Sequence, residues 1–165
     1  MGCLSSKEKS VPYKTDFAKE CLRAHNEFRA RHGAPAMVLN KEACEHAQKW
    51  ADHLVKTGKF EHSQDRSGDM GENIANQWSS DPNAEHSAES FVQQWYDEVS
   101  KYDFSGNNFQ PGAGHFSQVV WKASTELGVG MASDGKGAVT VVANYMPAGN
   151  VQGQFSDNVQ AANQI

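Results

Sequence analysis

Apolar residues recur at helical spacing in three stretches of the chain and at alternating spacing in one. From Thr15 to about His32, Phe17, Cys21, Ala24 and Phe28 follow one another at four, three and four residues, which puts them on one helix face. Gly33 and Pro35 stop that helix. After a short extended piece around Met37 to Leu39, Asn40 suits the N-cap of a second helix. Ala43, Ala47, Trp50 and Leu54 keep the three-to-four period there, and Gly58 ends it. A third helix is predicted from about Asn83 to Lys101, with Phe91, Trp95 and Val99 as its buried stripe. Glu98 sits one residue off the stripe, at the border of the core, where a cleft wall would be. Further on, Leu127, Val129 and Met131 alternate with glycines, and the turn Ser133–Gly137 leads to the alternating Val139, Val141, Ala143 and Tyr145, a β-hairpin. Lys59 to Pro82 shows neither period and reads as an irregular, polar segment. Helices first and a strand pair later, without strict βαβ alternation, predict an α+β domain whose helices pack on a small, mainly antiparallel sheet.

Composition narrows the class. The chain has 165 residues, 21% of them charged and 38% hydrophobic, which suits one folded domain and not a disordered chain. The net charge of -5 comes without a basic stripe, so nucleic acid is not an expected partner. Three cysteines, Cys3, Cys21 and Cys44, do not make a disulfide framework and are expected to be reduced. No Asn-x-Ser/Thr acceptor, no secretory h-region and no apolar run of spanning length occurs, so the protein is expected in the cytosol and not secreted.

The first residues say more about location. Met1-Gly2-Cys3-Leu4-Ser5-Ser6 fits the pattern for myristoylation of Gly2, and a palmitoyl group on Cys3 would be the second signal that stable anchoring requires. Lys7, Lys9 and Lys14 add attraction to anionic lipid. Residues 1–14 therefore read as a flexible, acylated arm and 15–165 as a single domain.

Candidate chemistry gathers on a few side chains. His115 lies in Gly114-His115-Phe116-Ser117-Gln118-Val119-Val120-Trp121, between a glycine and an aromatic. It can be a structural histidine satisfied by a carbonyl, or a group aimed into a cleft. His62 and Glu72 lie in the irregular segment and Glu98 on the third helix. Together with His115 they would suit a divalent metal such as zinc, although their spacing is unlike a compact zinc helix. His46 and His53, seven apart on the second helix, read as surface or packing residues. The loop from Tyr102 to Phe109 carries three aromatics among Gly and Asn, either pinned to the core or free to bind.

Several ordered motifs resemble those of the CAP superfamily of cysteine-rich secretory, antigen five and pathogenesis-related proteins. They are His25-Asn26-Glu27-Phe28-Arg29, Glu61-His62-Ser63, Gly71-Glu72-Asn73, Trp95-Tyr96-Asp97-Glu98, Gly114 to Trp121, and Ala143 to Val151. The resemblance runs from about Asp16 to Val151 and is nearest the Golgi-associated, plant-pathogenesis-related subgroup. It implies an α-β-α sandwich, a cleft tetrad of His62, Glu72, Glu98 and His115 able to hold zinc, and a lipid-anchored position on the cytoplasmic face of the Golgi or a related membrane. It also implies sterol binding through Tyr102, Phe104 and Phe109 and self-association as a homodimer; with the lysines' attraction to anionic phospholipid, membrane lipids are the expected partners. A lipid-binding or scaffolding module is the function expected. Metal-assisted hydrolysis, with zinc on His62 and His115 and Glu72 or Glu98 as general base, is the alternative.

Overall fold

The computed structural model describes residues 12–64 and 69–163. The predicted acylation sites Gly2 and Cys3 lie outside them. The first two helices form where the periodicity puts them. Helix α1 spans Thr15–Arg31, and α2 spans Lys41–Thr57. The Asn40 side chain accepts the Ala43 amide at the start of α2, and Gly58, in the left-handed region, closes it. Strand β1 is the short Val38–Leu39, β3 runs over Glu126–Ser133 and β4 over Ala138–Met146, so the predicted hairpin is present.

The segment read as irregular holds a strand. Gly71–Trp78 forms β2, paired antiparallel along its whole length with β4. Its sequence hides it, because Glu72, Asn73, Asn76 and Gln77 interrupt any apolar alternation; the buried polar positions face a cleft and not solvent. The third helix is shorter than its pattern: α3 spans Ala88–Tyr96. Ser87 takes the Ser90 amide as N-cap, so the helix begins there and not at Asn83. Residues Asp97–Lys101 tighten into a 3₁₀ turn that carries Glu98. Gly114–Val119 forms a short helix α4, and Phe155–Asn158 a single turn, α5, in the tail.

The sheet order is β1-β3-β4-β2, with β1 parallel to β3 and the other two pairings antiparallel. Helices cover both faces. On one, α1, α3 and α4 close a core around Phe91, Trp95, Phe116, Val129, Val141 and Tyr145. On the other, α2 packs Ala47, Ala51 and Leu54 against Ile74, Ala132 and Val142. The α-β-α arrangement depends on a close approach. A side chain at Gly128 would stand 2.2 Å from the Ala43 carbonyl carbon, and one at Gly130 would stand 2.3 Å from the Gln48 nitrogen. Beyond the end of β1, the free edge of β3 is satisfied by α2. Gln48 bonds both the amide and the carbonyl of Met131, and Cys44 Sγ takes the Val129 amide. Cys21 and Cys44 are free and buried.

Candidate functional site

All four tetrad residues line one cavity of about 270 Å³ at the start of β2, together with Asn73, Phe109, Gly114 and Asn150. The residues are arranged as two imidazole–carboxylate pairs. His62 Nδ1 lies 3.0 Å from Glu72 Oε1, and His115 Nδ1 lies 2.8 Å from Glu98 Oε2. A carboxylate only accepts, so each Nδ1 carries a proton, and in the neutral ring each Nε2 keeps a lone pair. The two rings are about half exposed.

The carboxylates are held more firmly than the rings. The Glu72 side chain is fully buried. Its Oε1 also takes the Ser63 amide at 2.8 Å, and its Oε2 takes the Ser63 hydroxyl at 2.6 Å and the Asn144 amide at 3.1 Å. Burial alone would raise its pKa, but the bonds from His62, Ser63 and Asn144 outweigh it and hold the carboxyl at about 2. Glu72 and Asn144 are cross-strand partners on β2 and β4, so sheet register places this pair. Asn144 in turn accepts from His46 Nδ1 on α2. On the other side, Glu98 Oε1 takes the first amides of α4, from His115 at 2.9 Å and Phe116 at 3.1 Å. The 3₁₀ turn thereby fixes both the backbone and the ring of His115.

Among the described residues, no group of three or more His, Cys, Asp and Glu side chains stands ready to hold a metal ion. The donor set that the tetrad offers is instead two imidazole Nε2 atoms, each backed by a carboxylate on its other nitrogen. Carboxylate-backed imidazoles are the usual outer arrangement of histidine metal ligands. Imidazole nitrogen is a donor type that zinc takes.

The aromatic loop divides. Tyr102 is buried and packs edge-on against Phe104 and Phe116, with its hydroxyl unpartnered among the described residues. Phe104 is partly buried against the same ring. Phe109 is 46% exposed and lies over Gly114, where its Cε2 would be 2.7 Å from any added Cβ, so it walls the cleft. His46 bonds Asn144 and His53 stacks on Trp50, both consistent with packing roles. Ser63, Asn73, Asn144 and Asn150 belong to the site but were not foreseen from their types. Asn150 adopts φ 58° and bonds the Gly114 carbonyl at 2.9 Å; its local signals were the Ala143 to Val151 motif and the Gly149-Asn150 pair within it.

The profile of CAP, the cysteine-rich secretory protein family, matches residues 22–145. The human Golgi-associated plant pathogenesis-related protein 1 is 40% identical over 146 residues, which cover 87% of this chain and 92% of that protein. Among solved structures, BmVAL-1 superposes with a TM-score of 0.74 at 20% identity, over 94% of this chain and 87% of its own. NaASP2, crystallised with Zn²⁺, superposes with a TM-score of 0.65 at 23% identity, over 92% of this chain and 88% of its own.

Proposed function

The chain belongs to the cysteine-rich secretory protein (CAP) family, and from that premise we propose that it is a membrane-anchored binding module whose cleft holds zinc through His62 and His115. The observation that carries the cleft reading is the pair of carboxylates on the Nδ1 atoms, which leaves both Nε2 atoms as donors. A fold relative crystallised with Zn²⁺ supports the choice of metal. Bound zinc would supply a Lewis acid and acidify its water. His62 and His115 hold it, while Glu72 and Glu98 fix the ring tautomers and orientations.

Binding is favoured over hydrolysis because both glutamates are engaged in holding the two histidines. Every carboxylate oxygen of Glu72 and Glu98 already accepts at least one hydrogen bond. A carboxyl held at about 2 is moreover a weak base at neutral pH. Zinc content after dialysis tests the cleft: equal retention by wild type and the His62→Ala/His115→Ala double variant overturns it.

The site of action is the cytoplasmic face of the Golgi or a related membrane, where the module scaffolds or binds lipid. The reading is supported by the Gly2 and Cys3 acylation pattern and by the Golgi-associated human relative. No helix among the described residues is long and apolar enough to cross a membrane. Anionic phospholipid is the partner through Lys7, Lys9 and Lys14, sterol the partner at the 102–109 loop through its exposed Phe109, and the module self-associates as a homodimer. Membrane fractionation decides the anchor: Gly2→Ala should leave the pellet, and a variant that sediments as fully as wild type rules acylation out as the cause.

A further inference from the structure

A chain of hydrogen bonds crosses the core from α1 to the cleft. His25 is fully buried on α1. Its Nδ1 stands 2.8 Å from the Cys21 carbonyl, and its Nε2 stands 2.7 Å from the Tyr145 hydroxyl. A carbonyl can only accept, so Nδ1 carries the proton, and Nε2 of the neutral ring must accept from the Tyr145 hydroxyl. The Tyr145 oxygen then accepts from Asn73 Nδ2 at 3.1 Å, and the second amide hydrogen of Asn73 goes to the His115 carbonyl, also at 3.1 Å. Every proton in the series is thereby assigned: Asn73 donates both ways, to the His115 carbonyl on one side and on the other into Tyr145, whose hydroxyl donates on to His25 and so to the Cys21 carbonyl. Trp95 lies between the two imidazoles, its ring 6.1 Å from His25 and 6.5 Å from His115, and its indole N–H goes to the Ile74 carbonyl on β2.

We propose that His25, Tyr145 and Asn73 form a positioning relay that sets the backbone of His115, and through it the orientation of this ring as a metal donor. The proposal rests on the zinc reading for its metal consequence. Glu98 holds the amide and ring of His115 from one side. The relay holds its carbonyl from the other. With both in place, residue 115 cannot turn without breaking a hydrogen bond on a buried or half-buried group, which removes the rotation that a ligand on a short helix would otherwise have. None of the three relay residues is a zinc donor in this reading, and of the three only Asn73 lines the cavity. Their types are what the task requires: a histidine that accepts at one nitrogen while donating at the other, a hydroxyl that both donates and accepts, and an amide with two donors.

Tyr145→Phe removes one oxygen and keeps the ring, so it breaks the relay with the least change in packing. Zinc titration should show binding weakened about tenfold, the scale of loss for groups that orient metal ligands. Amide hydrogen exchange of the metal-free protein should show His115 and Phe116 about tenfold faster, with the α2 amides unchanged. Leu54→Ala, on the opposite face of the sheet, serves as the control for general loss of stability; it should unfold more easily and bind zinc as wild type does. If Tyr145→Phe does not fold, Asn73→Ala asks the same question from the other end of the relay. Wild-type affinity together with wild-type exchange in the relay variant, or equal effects from Leu54→Ala, overturns the relay. Wild-type protein that binds no zinc overturns the metal reading alone, and the exchange measurement then decides the relay by itself.

Discussion

Glu98 grips His115 twice, with Oε1 on its backbone amide at 2.9 Å and Oε2 on its Nδ1 at 2.8 Å. Glutamine cannot reproduce both contacts. If the Gln carbonyl keeps the amides of His115 and Phe116, its NH₂ faces the Nδ1–H, and two donors meet. The ring relieves the clash by moving its proton to Nε2, which removes the lone pair the cleft offers a metal. Glu98→Gln should therefore shift the His115 tautomer, read in ¹⁵N imidazole spectra, and weaken zinc binding about tenfold or more. An unchanged tautomer in the variant contradicts this account of the pair.

The Gly128 position carries a prediction about the fold. A Cβ there would meet the Ala43 carbonyl carbon at 2.2 Å, its oxygen at 2.4 Å and its Cβ at 2.5 Å, all on or next to the α2 backbone. Neither partner can yield without shifting α2 off the sheet. Gly128→Ala should cost about 3 kcal/mol, the upper end for overpacking, in urea unfolding. A loss below about 1 kcal/mol would mean that α2 rides more loosely on β3 than the contacts indicate.

The period of Phe17, Cys21, Ala24 and Phe28 located α1, Asn40 and Gly58 marked both ends of α2, and the alternation of Leu127 to Tyr145 located the hairpin. Strand β2 escaped because its partners are unusual. Glu72 and Asn73 are buried in hydrogen bonds to Ser63, Asn144, Tyr145 and His115, so the polar residues that read as a loop are the lining of the site. Four site residues of the tetrad were legible from motifs, each with its neighbours. The same motifs contain Ser63, Asn144 and Asn150, but their roles were not legible, since serine and asparagine are abundant and only tertiary geometry distinguishes those that hold a carboxylate or close a loop.

Arg29 is a fully buried cation with no carboxylate partner in its hydrogen bonds among the described residues. Its guanidinium donates to four carbonyls, those of Pro35, Val119, Trp121 and Ser124, and so ties α1 to the segment that leaves α4. Burial lowers its pKa to about 10, which still leaves it charged at neutral pH. A lysine has one nitrogen to offer in place of a planar fork and strands some of these carbonyls. Arg29→Lys should lose about 3 kcal/mol in denaturant unfolding, and near-wild-type stability would mean the carbonyls are satisfied in another way.

Acid should destabilise the protein in two separable steps. Burial holds His25 neutral, lowering its pKa from 6.5 to about 4, with the Cys21 carbonyl bond opposing and Arg29 adding to the shift. Between those values the unfolded chain binds a proton that the folded chain refuses, so stability is complete above about pH 6.5 and falls as pH drops toward 4. The full contribution is about 3 kcal/mol at 1.36 kcal/mol per unit. His32, lowered first by burial, adds in the same direction. Glu72 acts lower: its carboxyl falls from 4.5 to about 2, so the stability it contributes is present above about pH 4.5 and lost as pH falls through 2. Urea midpoints at intervals from pH 7 to 3 should decline in wild type across both windows. In His25→Gln, which does not titrate, the decline between pH 6.5 and 4 should shrink to the part due to His32, while the decline below 4.5 persists. A variant with the wild-type slope in the upper window would show that folding does not lower the His25 pKa, and the direction of the His25–Tyr145 bond would then have to reverse in the protonated ring.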